Sequence, residues 1–266
     1  MNDKLKIRPE KRLGQNFLSE TGIIKKLIGA AEIKSGETVL EIGPGTGNLT
    51  AELIKTGRPV IAAEKDRRMA DVLREKFNKA DNFTLFLADA LKFDELKIAA
   101  PYKIVANLPF YAAAPIIRKF LESRNPPALM SLIIQKEVAQ RICAQAPKAN
   151  ILATAVQFYA IPKIISYVSK GSFWPVPKVD AAILLLVPRA KEGERADKKF
   201  SEKFFRILKA GFSHPRKLLA SNLVQIANLP REKIKAAMAN SGIPQNCRPE
   251  NLSPQDWIAL ARVFEL

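Results

Sequence analysis

The sequence predicts an α/β protein in which a parallel sheet carries helices on both faces and is followed by a smaller, all-helical C-terminal domain. First, short β-branched and apolar segments alternate with helical segments from Glu37 to Gln135. Second, a glycine-rich turn follows the first of these strands and leads into a helix. Third, only short helical segments occur after Phe200. A large core is also expected, because 47% of the residues are apolar.

The individual elements follow from local signals along the chain. A first helix is predicted over Ser19–Ile33, with Ser19 as its N-cap candidate. The five predicted strands are ETVLEIG (37–43), RPVIAAE (58–64), FTLFLAD (83–89), YKIVAN (102–107) and ALMSLIIQ (128–135). The helices between them are NLTAELIKTG (48–57), stopped by Gly57, DRRMADVLREKF (66–77), capped by Asp66, and AAPIIRKFLES (113–123), with Pro115 in its first turn.

A charged segment divides the chain into two predicted domains. Residues 191–199, KEGERADKK, have no hydrophobic periodicity and are predicted to form a linker. The first domain therefore covers residues 1–190 and the second covers residues 191–266. Helices in the second domain are predicted over residues 202–212, 216–227, 231–242 and 254–264.

The composition narrows the classes of partner and of chemistry. A formal net charge of +17 favours a polyanionic partner, although a soluble basic protein without such a partner has the same composition. The single histidine, His214, and two widely separated cysteines, Cys143 and Cys247, indicate neither a metal site nor a disulfide framework. The chain has no apolar run of 18 residues and no apolar N-terminal signal segment, which predicts a cytoplasmic protein without a membrane span.

A glycine-rich loop and two acidic residues follow three of the predicted strands. The segment VLEIGPGTGNLT places Gly43, Gly45 and Gly47 between a strand and a helix, although such a turn alone is also common without a ligand. Glu64 and Asp89 end the next two strands, and carboxyl ends of parallel strands meet in one crevice. A carboxylate about twenty residues beyond the loop can accept hydrogen bonds from ribose hydroxyls. Together these residues favour a cofactor that contains adenosine.

The spacing of the glycines distinguishes NAD from S-adenosylmethionine. The dinucleotide motif is Gly-x-Gly-x-x-Gly, with a pyrophosphate at the helix N-terminus. Here the spacing is Gly-x-Gly-x-Gly, and Glu41 stands just before the loop. An acidic residue beside the loop suits the cationic sulfonium and ammonium groups of S-adenosylmethionine better than a pyrophosphate. S-adenosylmethionine is therefore the predicted cofactor, and no metal is predicted.

The segment IVANLPFYAAAP interrupts an apolar strand with Asn107, Leu108, Pro109 and Phe110. One interpretation is an ordinary strand end with a core phenylalanine. The other is a site that methylates an exocyclic base amine, where the Asn107 side-chain carbonyl and a backbone carbonyl of Leu108 or Pro109 accept the two amine hydrogens. Phe110 can then stack on a base that is unpaired or flipped out of a helix. A second aromatic candidate lies in the proline-rich segment GSFWPVPKVD, where Phe173 and Trp174 are either rings of the site or residues that pack against the domain core; core packing is the less favoured interpretation for Phe173.

At this point the sequence resembles the ribosomal small-subunit RNA adenine dimethyltransferases, which are close relatives of the erythromycin-resistance methyltransferases. The resemblance covers nearly the whole chain and implies a Rossmann-like class I methyltransferase sheet with a small helical C-terminal domain for RNA docking. The segments that carry it are KRLGQNFL, EIGPGTGNLT, NLPF, QKEVAQRI, GSFWPVPKVDAAI, FSHPRKLLASNL and RPENLSPQDW.

The resemblance implies roles for residues of the cofactor site. Asn16 and Leu18 would close over the methionine end of S-adenosylmethionine, with Gly43 beneath it. Glu64 would hold the ribose and Asp89 the adenine amine.

The resemblance also implies a substrate and a catalytic site. Asn107, with Leu108 and Pro109, would lie at the methyl-transfer region, and Phe110 and Phe173 would sandwich the target adenine. The family transfers four methyl groups to the N6 amines of two adjacent adenosines in a hairpin near the 3′ end of 16S rRNA. The implied partner is 16S rRNA within the 30S subunit or its precursor, and the implied state is a monomer.

The motif departs from the family pattern at three positions. Phe110 replaces the usual Tyr, while Tyr111 and Ala113 stand where Asn and Ser are common. Two other functions therefore stay open at this stage. One is an assembly factor that binds the maturing small subunit with little turnover. The other is a base methyltransferase that acts on large-subunit RNA or on DNA.

Overall fold

The computed structural model describes residues 9–10, 14–190, 197–227 and 230–264, with the side chains of residues 225–227 excepted. It divides into two compact units, the first built from residues up to Ala139 together with Pro162–Pro188. The second contains Gln140–Ile161 and the residues from Arg189 onward. Two segments of the sequence lie largely outside the described residues. They are residues 191–196 of the predicted linker and the basic segment KIRPEKR (6–12), of which only Pro9 and Glu10 are described.

A seven-stranded sheet forms the centre of the first unit. Its strands are β2 (Thr38–Ile42), β3 (Val60–Glu64), β4 (Phe83–Leu87), β5 (Tyr102–Asn107), β6 (Leu129–Gln135), β7 (Ala160–Val168) and β9 (Ala181–Pro188). They lie in the order β4-β3-β2-β5-β6-β9-β7. The five strands from β2 to β6 are parallel, as predicted. Strand β9 runs antiparallel to β6, so the sheet is mixed. Neither β7 nor β9 was among the predicted strands.

Helices flank this sheet, and four of them begin close to the predicted positions. These four are α1 (Thr21–Ala31), α2 (Asn48–Ile54), α3 (Arg67–Lys76) and α4 (Ala113–Glu122). The fifth, α5 (Lys136–Ile142), was not predicted. Asp66 caps α3 as predicted, because its side chain accepts the Arg68 N–H at 3.0 Å. Ser19 is not the N-cap of α1; Glu20 takes that position, and the Ser19 hydroxyl instead donates to the Ser172 carbonyl at 3.0 Å.

A separate two-stranded sheet brings two distant segments together. Strand β1 (Phe17–Leu18) pairs antiparallel with β8 (Phe173–Trp174), so that Phe17 lies opposite Trp174 and Leu18 opposite Phe173. The Leu18 and Phe173 side chains are buried in the hydrophobic core, and Phe110 is partly buried against the same cluster. This pair fixes the segment from residue 14 to residue 18 against the first unit.

The second unit is helical and includes one helix that was not predicted. Its helices are α6 (Ile151–Tyr159), α7 (Lys198–Gly211), α8 (Leu219–Ala227), α9 (Arg231–Asn240) and α10 (Pro254–Val263). Helix α7 begins within the predicted linker, capped by Asp197. Its Phe204 ring stacks on Phe158 of α6 at a centroid distance of 4.2 Å, which places residues 151–159 in the core of this unit. Within the described residues, no helix combines the length and the apolarity that a membrane span requires.

Candidate active site

A cavity in the first unit lies at the carboxyl ends of β2, β3 and β5. The parallel register places the last residues of these strands at one edge of the sheet, next to the glycine-rich turn. All of the predicted cofactor residues line this cavity: Asn16, Leu18, Gly43, Glu64, Asp89 and Asn107. The remaining residues of the NLPF motif, Leu108, Pro109 and Phe110, line it as well. The structure therefore brings together five segments that are separated in the sequence.

The glycine loop follows β2 and adopts a backbone that requires glycine. Gly43, Gly45 and Gly47 have φ values of 67°, 54° and 76°, in the left-handed region that other residues rarely adopt. A Cβ atom on Gly43 would meet only Pro109 Cδ, at 3.9 Å, so the space above this residue belongs to the cavity. A Cβ atom on Gly45 would lie 2.8 Å from the Phe17 ring. The loop thus offers bare backbone to a ligand on one side and supports an aromatic ring on the other.

Glu64, at the end of β3, is fixed by backbone N–H groups. Its Oε2 accepts from Gly45 N at 3.0 Å, and its Oε1 accepts from Asp66 N at 2.8 Å. Burial nevertheless raises the pKa of this carboxyl above its ordinary value, because the lost hydration outweighs the hydrogen bonds. The Lys65 backbone N–H acts on the carboxyl in the same direction as these hydrogen bonds, and the carboxylate keeps acceptor capacity for a ligand hydroxyl.

Glu41 lies beneath the loop and is only 1% exposed. The Thr50 hydroxyl donates to its Oε2 at 2.7 Å. Burial raises the pKa of Glu41 to about 8, with a smaller contribution from the charge of Glu64, while Thr50 and Lys76 act in the opposite direction. A cationic ligand group in the cavity would favour the ionised form of this carboxyl.

Asp89 is oriented by two neighbours just beyond β4. Lys65 Nζ donates to its Oδ2 at 2.8 Å, and Leu91 N donates to its Oδ1 at 3.0 Å. The Lys65 ammonium holds the pKa of Asp89 below its ordinary value. Asp89 is thus an ionised acceptor at the rim of the cavity. Lys65 was missed in the sequence, although its place directly after Glu64 at a strand end is the same signal that identified the two acids.

Asn107 ends β5 and carries an unsatisfied polar atom. Its Nδ2 donates to the Asn16 carbonyl at 2.8 Å, which ties the N-terminal segment to the motif. Its Oδ1 is buried and accepts no hydrogen bond from any residue that the structure describes. Buried acceptors are rarely left unpaired, since the lost hydration is costly. In a cavity-lining residue, this oxygen is an acceptor that a ligand can satisfy.

The two phenylalanines expected to sandwich a base occupy different environments. Phe110 lines the cavity, but Phe173 is only 2% exposed and does not. Their rings meet edge to face, with centroids 6.4 Å apart and an interplanar angle of 73°. An aromatic pair without a base between its rings prefers this geometry over a parallel sandwich. The exposed ring of the GSFWPVPKVD segment is Trp174, which is 50% exposed.

Two further aromatic side chains contribute to the cavity wall and were not singled out in the sequence as site residues. Phe17 and Tyr111 both line the cavity, and Tyr111 is 60% exposed. Their position depends on close approach to Gly45 and Gly14, which no local pattern indicates. Among the described residues, no group of three or more His, Cys, Asp or Glu side chains could hold a metal ion.

The sequence matches a family model and curated bacterial proteins over nearly its full length. Residues 7–265 match the model described as ribosomal RNA adenine dimethylase. A protein of Dehalococcoides mccartyi named ribosomal RNA small subunit methyltransferase A is 38% identical over 262 residues, covering 97% of this chain and 89% of its own. A protein of Fusobacterium nucleatum with the same name is 35% identical and covers 98% and 99%.

Two solved structures of transferases have the same fold. The dimethyladenosine transferase from Plasmodium falciparum superposes with a TM-score of 0.76 at 27% identity, covering 92% of this chain and 95% of its own. The 23S rRNA methyltransferase ErmE superposes with a TM-score of 0.74 at 26% identity, covering 93% and 99%. Both similarities extend over the described sheet and the helical segments that follow it.

Proposed function

Because the chain belongs to the ribosomal RNA adenine dimethylase family, we propose that it transfers methyl groups from S-adenosylmethionine to the N6 amines of two adjacent adenosines in 16S rRNA. Membership makes the protein an rRNA adenine dimethyltransferase. The small subunit is the proposed target, since the relatives at 38% and 35% identity carry that name. The similarity to the 23S enzyme is lower, at 26% identity.

The observation that supports this proposal best is the unpaired Oδ1 of Asn107. An exocyclic amine of adenine is a poor nucleophile, because its lone pair is delocalised into the ring. Two acceptors that bind both amine hydrogens turn the lone pair out of this conjugation and towards a methyl donor. A buried acceptor with no protein partner in the described part of the chain is already desolvated, so binding an amine hydrogen costs it no further hydration.

A second acceptor is available in the backbone of the same motif. The Pro109 carbonyl accepts the Ala112 N–H at 2.9 Å in a turn, which favours the Leu108 carbonyl as the group that binds the second hydrogen. The Leu108 N–H is fixed by the Ile133 carbonyl at 3.1 Å, so this peptide is held by the adjacent strand. Pro109 adds rigidity because its ring restricts φ. We propose that Phe110 stacks on the base, and the role of Phe173 as a second ring stays a prediction.

The residues around the glycine loop fit S-adenosylmethionine, which when bound supplies an electrophilic methyl group on a sulfonium centre. Glu64 keeps acceptor capacity for the ribose hydroxyls, and ionised Asp89 can accept from the adenine amine. The open space above Gly43 admits the methionine portion, and Glu41 lies below it. Asn16 and Leu18 form the adjacent wall. The residues around the loop present carboxylates and exposed backbone to a ligand. The loop itself has no basic side chain that would bind a pyrophosphate, so these groups suit S-adenosylmethionine better than a dinucleotide.

The charge of +17 supports an RNA partner, because the phosphate backbone is the main source of affinity in such complexes. We propose that the substrate is a hairpin near the 3′ end of 16S rRNA in the 30S subunit or its precursor, which places the protein in the cytoplasm. We further propose that it acts as a monomer. Residues 1–190 would bind the cofactor, and residues 191–266 would dock on the RNA.

Incubation of under-methylated 30S particles with labelled S-adenosylmethionine tests this function. We expect label on two adjacent adenosines of 16S rRNA, with up to four methyl groups per particle. Label in 23S rRNA or in DNA, offered in parallel reactions, would contradict the proposed substrate. Tight binding to particles without transfer would instead identify an assembly factor.

A further inference from the structure

The strand pair β1/β8 carries two aromatic rings on its outer face. Side chains of adjacent strand residues point to opposite faces, so Leu18 and Phe173 enter the core while Phe17 and Trp174 face away from it. The Phe17 and Trp174 rings are stacked, with centroids 6.3 Å apart and an interplanar angle of 26°. Trp174 remains 50% exposed, whereas Trp257, the other tryptophan, is fully buried. The exposed ring is therefore held in a defined orientation by its partner.

This pair of rings is connected to the cavity. Phe17 lines the cavity and rests against Gly45 of the glycine loop. Trp174 follows Phe173, whose ring contacts Phe110 of the NLPF motif. Because the Phe17 ring lines the cavity and stacks with the Trp174 ring, Trp174 lies beside the cavity wall.

The surroundings of Trp174 favour a nucleic acid as its occupant. Lys170 and Lys178, four residues before and four residues after Trp174, are both exposed. An exposed aromatic ring that is flanked in the sequence by exposed basic residues is a combination that proteins use to bind unpaired nucleotides, with phosphates at the cations and a base on the ring. An apolar protein partner would not require this charge.

We propose that Trp174 is a stacking platform for an unpaired base that neighbours the target adenosine in the RNA substrate. Phe17 lies beside the ring, and the exposed part of the ring receives the base. The inference rests on the proposed function and adds to it a second base contact outside the cavity. Stacking tolerates any base, because every base has a π-face, so this contact would hold the loop open without selecting its sequence.

Single-turnover methylation of under-methylated 30S particles, measured over a range of particle concentrations, tests the platform. We expect Trp174→Ala to raise the half-saturating particle concentration about ten-fold, within the range of base stacking on an aromatic ring, with the maximum rate unchanged. Trp174→Leu should behave in the same way, because leucine is apolar but offers no π-face. Trp174→Phe should stay within about three-fold of the unmodified protein. Val176→Ala is the matched control, since Val176 is 61% exposed in the same loop and should change nothing.

The outcomes separate this inference from the proposed function. Three outcomes would contradict the stacking role of Trp174 even if the unmodified protein methylates the particles. They are an unchanged half-saturating concentration in Trp174→Ala, an equal increase in Trp174→Phe and Trp174→Ala, and an equal increase in Val176→Ala. A lower maximum rate with unchanged half-saturation would also contradict this role. If the unmodified protein transfers no methyl group to the particles, the proposed function fails and the inference fails with it.

Discussion

At the scale of single residues, the chemistry is concentrated in Asn107. Asn107→Ala removes the buried Oδ1 acceptor, and loss of one preorganised hydrogen-bonding group of this kind typically lowers turnover about 100- to 1,000-fold. We expect single-turnover methyl transfer at saturating cofactor to fall by that factor, and calorimetry to show a smaller loss of cofactor affinity, because the Nδ2 bond to the Asn16 carbonyl is also removed. Asn82→Ala is the control, because Asn82 also donates to backbone carbonyls, of Ile54 and Arg58, but does not line the cavity. A normal transfer rate in Asn107→Ala would exclude the proposed mechanism.

Glu41 is a second residue whose environment predicts a measurable effect. Burial raises its pKa from 4.5 to about 8, so the folded protein binds the proton more tightly than the unfolded chain does. The resulting stabilisation is complete below about pH 4.5 and is lost as the pH rises towards 8. Glu41→Gln removes this titration, so the melting temperature of the unmodified protein should fall more steeply across that window than that of the variant. The free energy of unfolding of the unmodified protein should fall relative to that of the variant by at most about 1.4 kcal/mol per pH unit. Parallel curves for the two proteins would contradict the buried, protonated carboxyl.

At the scale of elements, the glycine loop combines backbone strain with a tertiary contact. Gly45→Ala and Gly57→Ala both place a Cβ on a backbone with positive φ, which should destabilise each by about 1–2 kcal/mol in thermal unfolding. Only at Gly45 does the added Cβ meet another group, the Phe17 ring at 2.8 Å, whereas nothing lies within 4 Å at Gly57. Gly45→Ala should therefore also weaken S-adenosylmethionine binding in calorimetry, because the Phe17 ring must move. Equal affinity of the two variants for S-adenosylmethionine would show that the position of the Phe17 ring does not affect cofactor binding.

At the scale of the whole molecule, the net charge governs affinity for RNA. The logarithm of the association constant with 30S particles should fall linearly with the logarithm of salt concentration, because phosphate contacts release counterions. Replacement of the exposed Arg216 and Lys217 by Gln should lower affinity and reduce this slope by about one for each lost phosphate contact, without altering cofactor binding. Replacement of the exposed Lys25 and Lys26 by Gln is the matched control, because it removes the same charge from the first unit. Equal effects of the two pairs would argue against docking through the helical unit.

Local signals in the sequence determined most elements of the first unit. The bounds of β5 were predicted correctly, and so was the cap at Asp66, because strand periodicity and capping depend on neighbouring residues alone. The α/β class and the family were confirmed on the same basis. Residues at strand ends were expected to meet at one cavity because parallel strands align their carboxyl ends. The position of the cavity could therefore be predicted from the sequence.

Tertiary structure alone decided features that depend on contacts between distant segments. Strand β9 inserts antiparallel beside β6, and α6 joins the helices of the second unit, although neither is distinguished by its local pattern. Trp174 is the exposed ring and Phe173 the buried one because pairing with Phe17 and Leu18 sets which face of the strand meets the core. A shift of one residue in that pairing would exchange the two faces. The burial of Glu41 and the unpaired Oδ1 of Asn107 likewise arise only when the chain closes around them, since desolvation is a property of the surrounding atoms rather than of the residue itself.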